Sequence, residues 1–197
     1  MEAGLLYSGG KDSTLAACLL EPCCEVTLLC CSFGLTDDYE HAMAAGEAVG
    51  FPVERVDLDP DVAHEAVETM VADGFPRNGI QTVHEHALEE AATLKFDAIA
   101  DGTRRDDRVP TVERPLAQSI EDRFDVAHLA PLAGFGRSAI DELVAEQLSV
   151  ETGPSDEIEK GDYEAELRSL IVEQYDEQTV AELFPAHTQS RVTGRRT

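Results

Sequence analysis

Strand-forming segments that alternate with helical ones leave this chain few folds to choose from. Short strands are expected at Ala3–Tyr7, Glu25–Cys31, Val53–Asp57, Asp97–Ala100 and Asp125–Leu129. Helical periodicity fills the intervals at Asp12–Leu20, Asp38–Val49, Asp61–Ala72, Ile80–Leu94 and Thr111–Arg123. Gly74-Phe75-Pro76 and Asn78-Gly79 divide the third interval into two helices. A sixth segment, Ser138–Leu148, follows the last strand, with Ser138 as its expected N-cap. Strands joined through helices pair in parallel by right-handed crossovers. Helices then cover both sheet faces, which accounts for apolar rather than alternating strands. The expected class is α/β: a doubly wound, parallel, five-stranded sheet flanked by helices. Residues 1–150 form this domain. Glu151–Lys160 is polar, contains Gly153-Pro154-Ser155 and reads as a linker. Tyr163–Gln174 and Thr179–Phe184 read as a small helical C-terminal extension. Ser190–Thr197 reads as a basic tail with Arg191, Arg195 and Arg196.

The first strand–helix junction carries Ser8-Gly9-Gly10-Lys11-Asp12-Ser13. Ligands in open α/β sheets sit beyond the carboxyl ends of the strands, where this loop falls. Gly9 and Gly10 permit a tight turn that exposes backbone N–H groups. Those groups and the following helix N-terminus make an anion site. Ser8 and Ser13 add hydroxyls, and Lys11 adds a point charge suited to a polyphosphate. Asp12 is placed to hold Mg²⁺ against phosphate oxygens. The loop is not a Walker motif, because Asp12 stands where Ser or Thr must follow the lysine.

S-G-G-K-D-S resembles the PP-loop of the ATP pyrophosphatase superfamily. That resemblance implies an adenine nucleotide alpha hydrolase-like, Rossmann-like fold. It also implies ATP and Mg²⁺ as ligands and cleavage of ATP to AMP and pyrophosphate. Three later segments are similar to the family in the expected order. Ser32-Phe33-Gly34 follows the second strand, where the resemblance puts Phe33 near an adenine held largely by backbone groups. Core packing is the other reading of Phe33. Gly102-Thr103-Arg104-Arg105-Asp106-Asp107 follows the fourth strand. There Gly102 and Thr103 would approach the α-phosphate and ribose, and Asp106 or Asp107 would bind metal. Pro131-Leu132 leads, after a short spacer, to Arg137 at a helix start, a position for neutralising charge as pyrophosphate leaves. The expected catalytic residues are therefore Lys11, Asp12 and Arg137. The expected metal ligands are Asp12, Asp106 and Asp107.

Composition narrows the setting. The 197 residues carry a formal charge of −25, and only Lys11, Lys95 and Lys160 are lysines. Such an acid excess on a well-patterned chain resembles proteins of salt-loving archaea, where molar salt shortens the Debye length to about 3 Å. No apolar run is long enough to span a membrane, and no signal peptide is apparent, so a cytoplasmic protein is expected. The five cysteines form no C-x-x-C pair, which argues against a disulfide framework or a usual zinc or iron–sulfur site. Gly134-Phe135-Gly136 and His84-Glu85-His86 resemble dinucleotide and metal motifs but lack their context.

The arginines at the presumed site mouth (Arg104, Arg105, Arg108, Arg114) and in the tail suit RNA phosphates; local ion pairing is their other reading. The expectation is an enzyme that adenylates a tRNA base for attack by a nitrogen or sulfur nucleophile. A separate sulfur or ammonia donor protein is implied, unless Cys30 or Cys31 carries the sulfur. An amide-forming ligase on a small carboxylate and a non-catalytic ATP- or AMP-binding regulatory module are the alternatives.

Overall fold

The computed structural model describes residues 1–155, 158 and 161–196. In chain order the elements are β1 (Glu2–Leu6), α1 (Lys11–Leu20), β2 (Glu25–Ser32), α2 (Tyr39–Ala48) and β3 (Val53–Asp57). Next come α3 (Pro60–Asp73), α4 (Arg77–Ala92), β4 (Ala98–Ala100), α5 (Arg114–Phe124) and β5 (Ala127–Leu129). The chain ends with α6 (Arg137–Gln147), β6 (Leu148–Pro154), α7 (Tyr163–Gln174), α8 (Glu177–Leu183) and β7 (Thr188–Arg195). The five expected strands form one parallel sheet in the order β3-β2-β1-β4-β5. The chain runs outward from β1 to β3, then crosses back to β4 and β5. The order therefore reverses between β1 and β4, and a crevice opens at their carboxyl ends.

Alternation within β1 and β2 shows why both strands are apolar throughout. Leu5, Tyr7, Leu28 and Cys30 pack on the face covered by α1, α2 and α6. Leu6, Leu29 and Cys31 pack on the opposite face, against α3, α4 and α7. Leu5, Leu28, Leu29, Met70, Leu88, Ile99, Ile140 and Leu167 are among the largest fully buried side chains. Each contributes about 1.5–3 kcal/mol of burial free energy.

Several boundaries differ from the sequence expectation, each for a local reason. The helix α4 begins at Arg77, so Asn78-Gly79 lies inside it. Gly79 is a packing glycine: a Cβ there would stand 2.6 Å from the Ala66 carbonyl and from Met70, so its absence lets α4 press on α3. Gly136, not Ser138, is the N-cap of α6, and its extended backbone makes no side-chain cap bond. Asp125 is the left-handed C-cap of α5 (φ 55°), so β5 starts only at Ala127.

The largest difference lies after residue 147. Glu151–Pro154, expected in a linker, belongs to β6, and the boundary drawn at 150 falls inside that strand. The strand β6 pairs antiparallel with β7, which contains most of the expected basic tail. Arg195 anchors this hairpin to the main domain. Its guanidinium donates to both Glu21 carboxylate oxygens at 2.7 and 2.9 Å and to the Val49 carbonyl at 2.7 Å. It also lies 4.5 Å from the centroid of the Phe51 ring. Arg191 pairs with Glu151, and Arg196 donates to the Ala145 carbonyl. Local pairing thus accounts for the tail arginines. Helices α7 and α8 occur where a helical extension was expected. Among the described residues, no helix is long and apolar enough to cross a membrane.

Candidate functional site

The carboxyl edge of β1 and β4 opens into a cleft of about 870 Å³. Its wall brings together Ser8, Lys11, Asp12 and Ser13 from the first loop, Gly102, Thr103, Arg104 and Asp107 from the loop after β4, and Arg137 from α6. Gly9 adopts φ +76°, and a Cβ there would come within 3.2 Å of the Ala42 Cα. Both facts restrict the position to glycine. Gly10 is extended and serves as the N-cap of α1. The loop is held from inside and behind. Ser13 Oγ and Thr14 Oγ1 donate to the Gly10 carbonyl at 3.2 and 2.8 Å, and Tyr7 shares a 3.0 Å bond with Thr14. From behind, the Val192 N–H of β7 donates to the Gly9 carbonyl at 3.0 Å.

The two loops meet at Gly102. A Cβ there would stand 2.9 Å from the Ser13 Cα and 3.0 Å from the Ser13 nitrogen. Backbone atoms cannot swing away as a flexible side-chain tip can. Gly102→Ala is therefore expected to cost about 1–3 kcal/mol by overpacking. At about 2–4 °C per kcal/mol for a chain of this size, thermal denaturation reads that loss directly. An unchanged Tm would refute the close approach.

Three cations converge on the loop. Lys11 pairs with Asp141 of α6, one turn beyond Arg137. The hydrogen bond from Lys11 holds the Asp141 carboxyl below its usual range, and the charges of Lys11, Arg137 and Arg104 add to the effect against partial burial. Arg104 binds Asp107 through its backbone N–H at 2.8 Å and its Nε at 2.9 Å, and approaches Asp12 at 3.5 Å. Asp107 is thereby committed to Arg104. Asp106 is exposed and lies outside the cleft wall. Among the described residues no group of three or more His, Cys, Asp or Glu side chains is placed to hold a metal alone. Asp12 remains in the cleft wall within the Ser8–Ser13 loop, and a Mg²⁺ ion held there beside a bound polyphosphate would draw its other ligands from phosphate oxygens and water.

For Phe33 the structure shows the packing of its side chain. Its side chain is buried in the core and absent from the cleft wall, and its N–H donates to Glu166 Oε2 at 2.8 Å. Glu166 also accepts from Ser32 Oγ at 3.1 Å and from the Leu35 N–H at 2.9 Å. This carboxylate, 2% exposed, ties α7 to the turn after β2. Cys30 and Cys31 do not suit sulfur transfer. Burial pushes the Cys30 thiol up to about 12 and the Cys31 thiol higher still, so both stay protonated near neutral pH.

A polar cluster missed at the sequence level lies at the inner end of the cleft. Asp101 accepts from the Thr103 N–H at 2.7 Å and pairs with His128 Nε2 at 2.7 Å. Burial pushes the Asp101 carboxyl up, but the hydrogen bonds from His128 and Thr103 and the nearby His84 outweigh it and leave it lowered. His84 lines the same cleft, with Nδ1 2.9 Å from the Tyr163 hydroxyl. Burial lowers the His84 pKa and keeps its imidazole neutral. Of the neighbouring His86, Nε2 accepts from the Asp59 N–H at 3.2 Å.

Comparison with known proteins adds relatives along the whole chain. An uncharacterized protein of Methanocaldococcus jannaschii is 34% identical over 195 residues, spanning 98% of this chain and 96% of its own. A crystal structure from Methanocaldococcus jannaschii, described as a predicted subunit of tRNA methyltransferase, superposes with a TM-score of 0.91 at 33% identity, over 100% of this chain and 99% of that one. The U34-tRNA thiolase NcsA of Methanococcus maripaludis, solved with its iron–sulfur cluster, gives a TM-score of 0.49 at 17% identity, over 93% of this chain and 70% of that one. A family model also matches residues 1–194, and the chain accordingly belongs to that family, DUF7411, described as a family of unknown function.

Proposed function

We propose that this protein is a Mg²⁺-dependent ATP pyrophosphatase that adenylates a substrate in tRNA modification. The observation that carries the reading is the meeting of the Ser8–Ser13 loop with Gly102 at the point where the strand order reverses. A substrate oxygen attacks the α-phosphorus, and the bond to pyrophosphate breaks with its electron pair leaving on the pyrophosphate. The α1 N-terminal amides, Ser8, Ser13 and Lys11 hold the departing group, while Arg104 and Arg137 face its charge. Mg²⁺, when bound beside Asp12, supplies further neutralisation.

Lys11 must exchange Asp141 for phosphate. Asp141 is 49% exposed, so the existing pair is worth only about 0–1 kcal/mol. A polyphosphate carrying several charges readily replaces it. The tRNA assignment draws on the description of the Methanocaldococcus jannaschii relative and on Arg108 in the cleft wall, with exposed Arg105 beside it. The buried, protonated Cys30 and Cys31 favour a sulfur or ammonia donor on a separate protein.

The test is product analysis of ATP turnover with Mg²⁺ in molar KCl, with and without bulk archaeal tRNA. AMP and pyrophosphate formed only with tRNA support the reading in full. The same products without tRNA move the substrate to a small molecule, as in an amide-forming ligase. ATP bound but uncleaved with tRNA present favours a non-catalytic regulatory module. ADP and phosphate would overturn the reading of the loop.

The −25 formal charge sets the working conditions. Salt screens both the surface ion pairs and the general repulsion. Exposed pairs contribute little each, so relief of repulsion wins. Raising KCl from about 0.1 M to about 1 M, which shortens the Debye length from about 10 to about 3 Å, is expected to raise Tm. A Tm that falls over that range would sink the salt-adapted reading.

A further inference from the structure

Three consecutive amides of the turn after β2 are already used. Phe33 and Leu35 donate to Glu166, and the Gly34 N–H donates to Ser32 Oγ at 3.0 Å. A nucleobase at this turn would find no open backbone N–H. An unpartnered ring nitrogen does lie in the wall of the cleft, on His84. Burial holds the Tyr163 phenol protonated, and its O–H requires an acceptor. Its hydrogen-bond partner among the described residues is His84 Nδ1, at 2.9 Å. Donation of this bond by the Tyr163 O–H to Nδ1 is the arrangement that puts the imidazole proton on Nε2. His84 Nε2 is buried and has no hydrogen-bond partner among the described residues. A buried N–H is costly to leave unmade. The cleft around it has apolar walls from Leu6, Leu29, Cys31 and Ile80, suited to a planar ring. The same cleft runs on to Ser8, Lys11 and Ser13.

We propose that His84 reads the adenine of the bound nucleotide, donating Nε2–H to a ring nitrogen, in place of the closed amides of residues 33–35. The proposal rests on the nucleotide reading above and adds a specificity-determining residue to it. Tyr163 is the positioning residue that fixes the tautomer. Adenine offers three ring acceptors, N1, N3 and N7, and the imidazole engages one of them.

Calorimetric titration of the full chain in molar KCl tests this. The ligands are the Mg²⁺ complexes of ATP, 1-deaza-ATP, 3-deaza-ATP, 7-deaza-ATP and inorganic tripolyphosphate. One deaza analogue is expected to bind about three- to tenfold more weakly than ATP, as loss of one hydrogen bond implies. His84→Ala should lose the same factor for ATP, keep its tripolyphosphate affinity and no longer distinguish that analogue. The wild-type analogue series needs no variant to fold. Three analogues that all bind like ATP would overturn the proposal. So would equal losses for ATP and tripolyphosphate in His84→Ala, which would make the residue structural only. Tripolyphosphate binding with no gain from the nucleoside would overturn it while leaving the phosphate loop intact. Wild type that binds neither ligand would overturn the nucleotide reading itself.

Discussion

Lys11→Ala is expected to lower the rate of AMP and pyrophosphate formation about 10²- to 10³-fold while weakening ATP binding far less. The asymmetry follows from where the charge is needed. In the bound ground state, phosphate charge is shared among loop amides, Ser8, Ser13, Arg104, Arg137 and solvent. As pyrophosphate departs, new charge develops on the leaving oxygen, and one preorganised electrostatic donor is worth roughly that factor in rate. The loss would not reflect unfolding. Lys11 is partly exposed and its partner Asp141 is 49% exposed, so removing the pair costs at most about 1 kcal/mol. Quench-flow or steady-state measurement of AMP release, beside a binding isotherm, separates the two quantities. Equal losses in rate and affinity would make Lys11 a simple anion anchor. Unchanged turnover would remove it from the mechanism.

Glu166→Ala is expected to be strongly destabilising, at about 3–5 kcal/mol. It strands three donors at once: the buried Ser32 hydroxyl and Phe33 N–H, and the partly buried Leu35 N–H. Hydrogen bonds to a charged group contribute about 1.5–3 kcal/mol each, and water entering the vacated space recovers part of the total. The corresponding fall in Tm is on the order of 10 °C. Glu166→Gln keeps the shape but turns an NH₂ toward donors, so it should fall between Ala and wild type. Thermal denaturation of both variants is the check. A change of only a degree or two in Glu166→Ala would mean that α7 is not tied to the turn through this carboxylate.

The sheet and the turn at residues 8–13 were legible because their signals are local. A short apolar strand, S-G-G-K-D-S and a helix are contiguous, and Ser13 and Thr14 brace the Gly10 carbonyl within the first turn of α1. The error at Gly79 shows the limit of such reading. Glycine looks like a helix breaker until α3 is placed against it with Ala66 and Met70 at the contact. The hairpin was hidden for the same reason. Polar Glu151–Pro154 resembles a linker until β7, some forty residues later, supplies its ladder of hydrogen bonds.

The rest of the site comes from partners far apart in the chain. Lys11 meets Asp141 across 130 positions, Glu166 reaches Phe33 across 133, and Tyr163 meets His84 across 79. None of these pairs has a spacing that a periodicity or motif can register. Residue order alone determined the α/β class, the acidic composition and the glycine-rich turn at residues 8–13, since each rests on neighbours or on composition. Crossovers, burial and the stacking of α7 on the sheet determined which carboxylate holds which amide, which cysteines stay protonated and which imidazole nitrogen has no partner among the described residues. A group's charge state and its free hydrogen-bonding capacity depend on what surrounds it in space, and only the folded chain specifies that.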